Sequence, residues 1–340
     1  MSEFVRDTEP YRRELIAHCY RMLGSAHDAE DVVQETYLRA WRAYQDFENR
    51  SSMRTWLYRI ATNTCLTALA HSSRRMLPSG LAGPADDPHA EAAPAPNVTW
   101  VEVIPDSRVD DPAAVVTSRE SLRLALIASL QHLPAQQRAV LLLRDVLAFP
   151  AADVAAMLDI SVVAVKSALQ RARARMQDIA PNADEVIEPT EPRARELLEK
   201  YMTAFENADT TLLADALRHD AALEMVGSRT WFSGRATCLP YLATVVGVHG
   251  DWRMVEIGAN GQPAAAAYRR DGDGVLRAFG IALLDVTASG IARIVVFGDS
   301  RLVTLFGLPL IHDVELGRGG KDPSVFARVQ SDNTASAAWR

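Results

Sequence analysis

The sequence predicts a multidomain chain in which two all-α modules precede an α+β domain. Apolar residues recur at helical spacing from residue 11 to about 75, and again from 118 to 176. Between those blocks the text turns to PSGLAGPADDPHAEAAPAPN, rich in Pro, Ala and Asp. After residue 191 two helical stretches give way to alternating, β-rich segments. The length of 340 residues accommodates two or three domains of ordinary size.

In chain order, the first helical block (1–77) carries Leu15, Cys19 and Met22 on one stripe. Val32, Val33, Thr36, Tyr37 and Ala40 form a second stripe, and Leu57, Ile60, Ala61 and Thr64 a third. The last helix of the block opens after Ser51 or Ser52, both suitable N-caps. Residues 78–117 read as an acidic, mobile linker with too little apolar surface to offset its ordering entropy. Helices resume over 118–180, and 181–191 is a second short acidic linker. Helices over 193–207 and 210–218 then lead into strands, with a further helix around 238–246. DGDG at 271–274 signals a hairpin, and 316–340 reads as a disordered tail behind a domain spanning 192–315.

Charge is distributed unevenly along a chain of net −7. Residues 1–75 hold 11 basic and 10 acidic side chains; 76–117 hold one and seven; 118–180 hold eight and five. A basic helix and an acidic linker within one acidic chain suit presentation of each sign to a different partner, and argue against nonspecific coating of nucleic acid. Cys19, Cys65 and Cys238 lie far apart without a CxxC pair, which fits a reducing cytoplasm and argues against structural zinc or a disulfide framework. No apolar run is long enough to span a bilayer, and the N-terminus lacks a signal core.

The strongest local motif is a helix-turn-helix over 151–176: AADVAAML, a tight LDIS turn, then VVAVKSALQRARARM capped by Ser161. On the second helix Val165, Leu169, Ala172 and Met176 share one face, while Lys166, Ser167, Gln170 and Arg171 lie opposite. An apolar back with a polar reach is what a major-groove recognition helix requires. On this segment alone, a solvated Arg-rich helix in an ordinary bundle is the competing reading.

The text ELIAHCYRMLGSAHDAEDVVQETYLRAWRAYQDFENRSSMRTWLYRIATNTCL resembles region 2 of the extracytoplasmic-function (ECF) sigma factors of bacterial RNA polymerase. LPAQQRAVLLLRDVLAFPAADVAAMLDISVVAVKSALQRARARM resembles their region 4, in the same order and with a linker between. The resemblance, to the branch carrying a SnoaL-like domain, extends over about 8–312. It implies core RNA polymerase, through its β′ coiled coil and β flap, and promoter DNA as partners. An anti-sigma factor or a small apolar ligand is a further candidate, and no membrane, cofactor, metal or catalysis is expected. A dimeric repressor or a polyketide-type cyclase with a DNA-binding arm would leave the DAED–QET block and the RTWLYRIATN helix without a purpose.

Residue by residue, Asp28, Asp31, Gln34 and Glu35 match the polymerase-docking positions. Phe47 and Asn49, in the specificity loop, and Arg54, Trp56, Arg59 and Asn63 match positions at the −10 element, with Leu57 beside Trp56 at the strand-separating wedge. Lys166, Ser167, Gln170, Arg171 and Arg173 match the −35 contacts, although Ala168 stands where many relatives are polar. Family linkers thread the polymerase cleft, which gives Asp106, Asp110 and Asp111 a nucleic-acid-mimicking role. The last domain resembles an NTF2-like (SnoaL-like) cone, a regulatory fold that encloses a pocket; Tyr201, Met225, Trp231, Trp252, Tyr268 and Phe279 are its candidate lining. The implied location is the cytoplasm, at the nucleoid when engaged.

Overall fold

The structure is a computed structural model that describes residues 3–47, 51–90, 92–109, 122–179 and 186–312. The first module comprises α1 (Glu3–Thr8), α2 (Arg12–Leu23), α3 (Ala26–Ala43) and α4 (Met53–Leu69). Gly24, at φ +70°, ends α2 in the left-handed conformation that costs a residue without Cβ little. Ser25 and Ser52 cap α3 and α4 by accepting from the amides of Asp28 and Thr55. The predicted stripe Leu15, Cys19 and Met22 is fully buried, as are Val33, Leu57 and Ala61. Leu57 is therefore core and contributes nothing to a wedge.

Residues 76–109 differ most from expectation. Rather than hanging as a mobile linker, the described part is a strap laid along the C-terminal domain. Its backbone pairs with Trp231, Arg229 and Gly227, and the Ser79 amide donates to the buried Glu224 carboxylate at 2.9 Å. Low apolar content failed as a disorder signal because the strap satisfies its polar groups on a neighbour absent from local sequence. The strap ends in the short helix α5 (Asp106–Val109).

The second helical module contains α6 (Leu124–Leu130), α7 (Ala135–Leu141), a π turn over Leu142–Val146, α8 (Ala151–Leu158) and α9 (Val162–Ile179). Asp159, at φ +53°, supplies the left-handed residue between α8 and α9, a conformation Asp tolerates better than most side chains. This module packs directly on the first. Arg138 of α7 is 4% exposed and donates to the Met22 carbonyl, which closes the C-terminus of α2. Its guanidinium also reaches Gln131 Oε1 at 2.6 Å, and burial pulls its pKa down to about 10.

The C-terminal domain is an NTF2-like cone. It comprises α10 (Pro192–Asn207), α11 (Thr210–Ala216), β1 (Leu217–Val226), β2 (Trp231–Ser233), α12 (Arg235–Val245), β3 (Trp252–Ala259), β4 (Gln262–Arg270), β5 (Leu276–Thr287), β6 (Gly290–Phe297), α13 (Ser300–Leu305) and β7 (Ile311–His312). The strands run in the order β2–β1–β6–β5–β4–β3, antiparallel except for the β1–β6 pair, with β7 added beside β5. The DGDG hairpin joins β4 to β5 as expected, with Arg277 bound to Asp271 and Asp273. Residues 316–340, expected as a tail, lie outside the described residues.

Both faces of the sheet are covered. Along β4, Ala264, Ala266 and Tyr268 pack into the core shared with the helical modules, while Ala265 and Ala267 pack into the interior of the cone. Four consecutive alanines allow both layers to approach the same strand closely.

Candidate polymerase and nucleic-acid interfaces

On α3, Asp31 and Gln34 are exposed and share a stripe with Leu38 and Trp41, which are 50% and 62% exposed. An acidic and polar stripe ending in two bare apolar side chains has the composition of a protein-binding surface. Sequence reasoning overlooked Leu38 and Trp41 because apolar residues at helical spacing are ordinarily core; only their offset from the Val33–Ala40 stripe marked them. Asp28 and Glu35 are engaged already: Asp28 accepts from Arg75 at 2.7 Å and Glu35 from Arg39 at 2.7 Å.

The −10 candidates divide between two environments. Trp56 packs on Phe47 with ring centroids 4.7 Å apart, and Arg59 is exposed one turn further along α4. Asn49 lies outside the described residues. Arg54 faces elsewhere: its guanidinium pairs with Glu14 at 3.0 Å and sits 4.9 Å from the Tyr58 ring and 4.7 Å from the Phe149 ring. Phe149 belongs to the second module, so Arg54 is a joint between modules in this conformation. Asn63 is another, donating to the Met157 carbonyl at the end of α8 at 3.0 Å.

Beneath this joint His18 is fully buried, with Nε2 2.9 Å from Thr62 Oγ1 and the Tyr58 ring 5.1 Å away. Burial first, then the nearby charges of Arg21 and Arg54, hold the imidazole neutral with a pKa of about 3.

On α9, Val165, Ala168 and Ala172 are buried while Lys166, Gln170 and Arg171 are exposed. Ala168 therefore belongs to the apolar back, and its departure from polar relatives removes no groove contact. Ser161 caps the helix by accepting from the Ala164 amide. Val163 is 73% exposed on the outward face of the first turn, where recognition helices meet base edges. Arg173 is tied to Asp145 by two bonds of 2.8 and 2.7 Å. Arg173 is more than half exposed, so solvent screens the pair and Arg173 is readily released.

The acidic strap does not offer all its carboxylates to solvent. Asp106 accepts from the Gly261 amide at 2.7 Å in the β3–β4 turn. Asp110 and Asp111 lie outside the described residues.

That turn, Asn260–Gly261, is the structural centre of the molecule. Both residues have positive φ, +56° and +64°, the geometry of a type I′ hairpin. Asn260 is fully buried; its Oδ1 accepts from Ile104 N at 3.1 Å, and its Nδ2 donates to the Tyr20 hydroxyl at 2.6 Å and the Leu122 carbonyl at 2.8 Å. Gln262 Oε1 accepts from Leu124 N at 2.7 Å. First module, strap, second module and cone thus meet at one turn.

Inside the cone a cavity of about 140 Å³ is bounded by Tyr201, Phe205, Met225, Tyr241, Trp252 and Phe279, among other apolar residues. Two candidates fall elsewhere. Trp231 donates its indole N–H to Ala82 of the strap at 2.8 Å, and Tyr268 points to the other side of the sheet, donating to Pro309 O at 2.9 Å. Strand alternation explains Tyr268: it is one residue out of phase with Ala267, which does line the cavity.

Two helical modules, the second carrying a helix-turn-helix, joined to an α+β domain have the build of a sigma-type transcription factor. Residues 8–75 match the sigma-70 region 2 family and 123–176 the sigma-70 region 4 family. The chain is 49% identical over 312 residues to the ECF RNA polymerase sigma factor SigG of Mycobacterium tuberculosis, covering 90% of this chain and 84% of that protein. It is 30% identical over 166 residues to the Bacillus subtilis ECF sigma factor SigW, covering 48% and 81%. The crystal structure of Mycobacterium tuberculosis ECF sigma factor SigJ shares the fold at TM-score 0.60 and 23% identity, over 90% of this chain and 99% of that one. The chain belongs to the ECF RNA polymerase sigma factors. Among the described residues no helix is long and apolar enough to cross a membrane.

Proposed function

We propose that this chain docks on core RNA polymerase through α3, opens and reads a −10 element with α4, and reads a −35 element with α9, without catalysis of its own. Asp31, Gln34, Leu38 and Trp41 form the docking stripe against the β′ coiled coil, and the second module engages the β flap. Phe47, Asn49, Trp56 and Arg59 meet the opened strand. Lys166, Ser167, Gln170 and Arg171 meet the upstream duplex, joined by Arg173 once it leaves Asp145. The protein acts in the cytoplasm, at the nucleoid when engaged. We keep the domain boundaries read from sequence, 1–77, 118–180 and 192–315, with 78–117 as the acidic linker between the sigma modules and 181–191 as the second linker.

The observation that carries the regulatory part is the joint at Asn63 and Arg54. The same face of α4 that would read DNA is packed on the helix-turn-helix. Two promoter elements set apart along a duplex can be read together only after these modules separate. The cone, through Asn260, holds them together, so it restrains the sigma modules until polymerase, an anti-sigma factor's release or a ligand in the cone cavity shifts the balance. The cavity is bounded by Tyr201, Met225, Trp252 and Phe279, and among the described residues its wall carries no Asp, Glu or His to move a proton, which favours binding over turnover.

The test is transcription by purified core polymerase, with full-length chain and with a chain ending at residue 191. Promoter-dependent transcripts with either, and more with the shorter chain, are expected. No transcripts with either, together with no co-elution with core polymerase, overturns the reading.

A further inference from the structure

The cations of α9 are not equivalent. Among the described residues Lys166, Arg171 and Arg175 have no ion-pair partner, whereas Arg173 meets Asp145 side-on, its Nε donating to Oδ2 at 2.8 Å and its Nη2 to Oδ1 at 2.7 Å. Two parallel bonds fix the guanidinium in direction as well as in position. Asp145 belongs to the π turn that follows α7, where the Leu147 amide donates to the Leu142 carbonyl at 3.0 Å. Within that turn Arg144 donates to the Phe149 carbonyl and closes the entry to α8, while Asp145 beside it reaches across to α9. Arg173 follows Lys166 and Gln170 at helical spacing on one stripe and borders the same shallow groove as they do. One carboxylate is thereby set against the stripe offered to the upstream duplex, and it neutralises one of the cations there.

We infer that Asp145 is a specificity-determining residue for promoter recognition: it withholds Arg173 from duplex of arbitrary sequence and yields it at the −35 element. This rests on the reading of α9 as the −35 helix and adds how that helix rejects other DNA. Sequence-independent binding draws on cations that reach phosphates, each contributing about 0.9 to the slope of log affinity against log salt. A cation tied to a carboxylate adds no such contact, and the carboxylate itself repels phosphates. At the −35 element the contacts of Lys166, Gln170 and Arg171 seat α9 in the groove. There a phosphate replaces Asp145 as the partner of Arg173, and the solvent-screened pair offers little resistance. The pair therefore lowers non-specific affinity more than specific affinity, and selectivity comes from a withheld charge rather than an added contact.

The experiment measures binding of the full-length chain in complex with core polymerase to two duplexes across a salt series. One duplex has mixed sequence; the other is selected by the parent complex from a random-sequence pool. The core enzyme's own contribution is common to all variants. In Asp145→Asn, affinity for the mixed duplex should rise roughly three- to tenfold, with a salt slope steeper by about 0.9, and affinity for the selected duplex should rise less. Asp145→Asn combined with Arg173→Gln puts a neutral pair in place of a neutral pair. It should return the mixed-duplex slope to that of the parent and weaken the selected duplex alone. Asp145→Glu should keep the parent's selectivity, and the Tm of the free chain should move little in every variant, since the pair is exposed. An unchanged mixed-duplex slope in Asp145→Asn, or a gain that persists in the double variant, overturns the role of Asp145 and leaves α9 as the reading helix. Failure of the parent complex to select any duplex overturns both.

Discussion

The Asn260 side-chain amide donates to the Tyr20 hydroxyl at 2.6 Å, and that hydroxyl in turn donates to the Glu102 carbonyl at 2.7 Å. A turn of the cone, a helix of the first module and the strap are thereby linked through consecutive hydrogen bonds from the fully buried Asn260 and Tyr20 to the half-buried Glu102. Removing Asn260 leaves the Ile104 amide and the Leu122 carbonyl without partners as well. Asn260→Gly keeps the positive φ and deletes only the side chain, so it should lower the unfolding free energy by about 1–3 kcal/mol for each orphaned buried group. The same variant should make more transcript per bound polymerase than the parent, in the assay with core enzyme described above. A variant that is destabilised yet no more active would confine Asn260 to a structural role.

His18 supplies a pH dependence. Its folded pKa of about 3 lies below the unfolded value near 6.5, so the unfolded chain binds more protons throughout that window. The stability from keeping it neutral is fully present above pH 6.5 and is lost as pH falls toward 3. The loss approaches about 1.4 kcal/mol per pH unit inside the window. Chemical denaturation at pH 7, 6 and 5 measures the slope, and His18→Gln should flatten it. An unchanged slope in the variant would assign the acid sensitivity to carboxylates.

Trp41→Ala and Leu38→Asp should weaken binding to core polymerase at least tenfold each, as expected for exposed apolar anchors in a docking stripe. Because both side chains are at least half exposed, Tm should move little. Co-elution with core enzyme and thermal melting report the two effects separately.

At the upstream element, Arg171→Ala should weaken promoter binding by about 1–3 kcal/mol if Arg171 reads a base edge. Val163→Ser should weaken binding only at sites where a thymine methyl faces the first turn of α9. Footprinting of the −35 region with substituted promoters distinguishes them; protection identical to the parent removes the residue from the interface.

Much of this organisation was legible in the sequence because it rests on local periodicity. The stripe Leu15–Cys19–Met22, the Ser52 cap and the split of α9 into an apolar back and a basic front all follow from residue spacing, and all are present. What was not legible depends on partners distant along the chain. The strap looked like a linker because its hydrogen-bond partners, Glu224 and residues 227–231, lie more than 130 residues away. Arg54 matched a DNA-contacting position, yet its ring partner Phe149 comes from another module. Tyr268 and Trp231 were placed in the cavity by residue type, where strand phase and strap contact decide otherwise. The Asn260–Gly261 pair carried a usable signal, since Asn-Gly between two strand-like runs is a type I′ turn; its insertion between modules carried none.

The arrangement of the strap also has a consequence during synthesis. Every surface on the cone that the strap and Asp106 grip is made after residue 179, once the sequence of both sigma modules is complete. At about 5–20 residues per second the residues from 180 to 312 take roughly 7–27 seconds more. For that interval each nascent chain carries complete promoter-reading modules with nothing yet folded behind them to hold them shut. Newly translated molecules are therefore the ones most open to capture by polymerase, and the output of this factor should track its rate of translation as well as its amount.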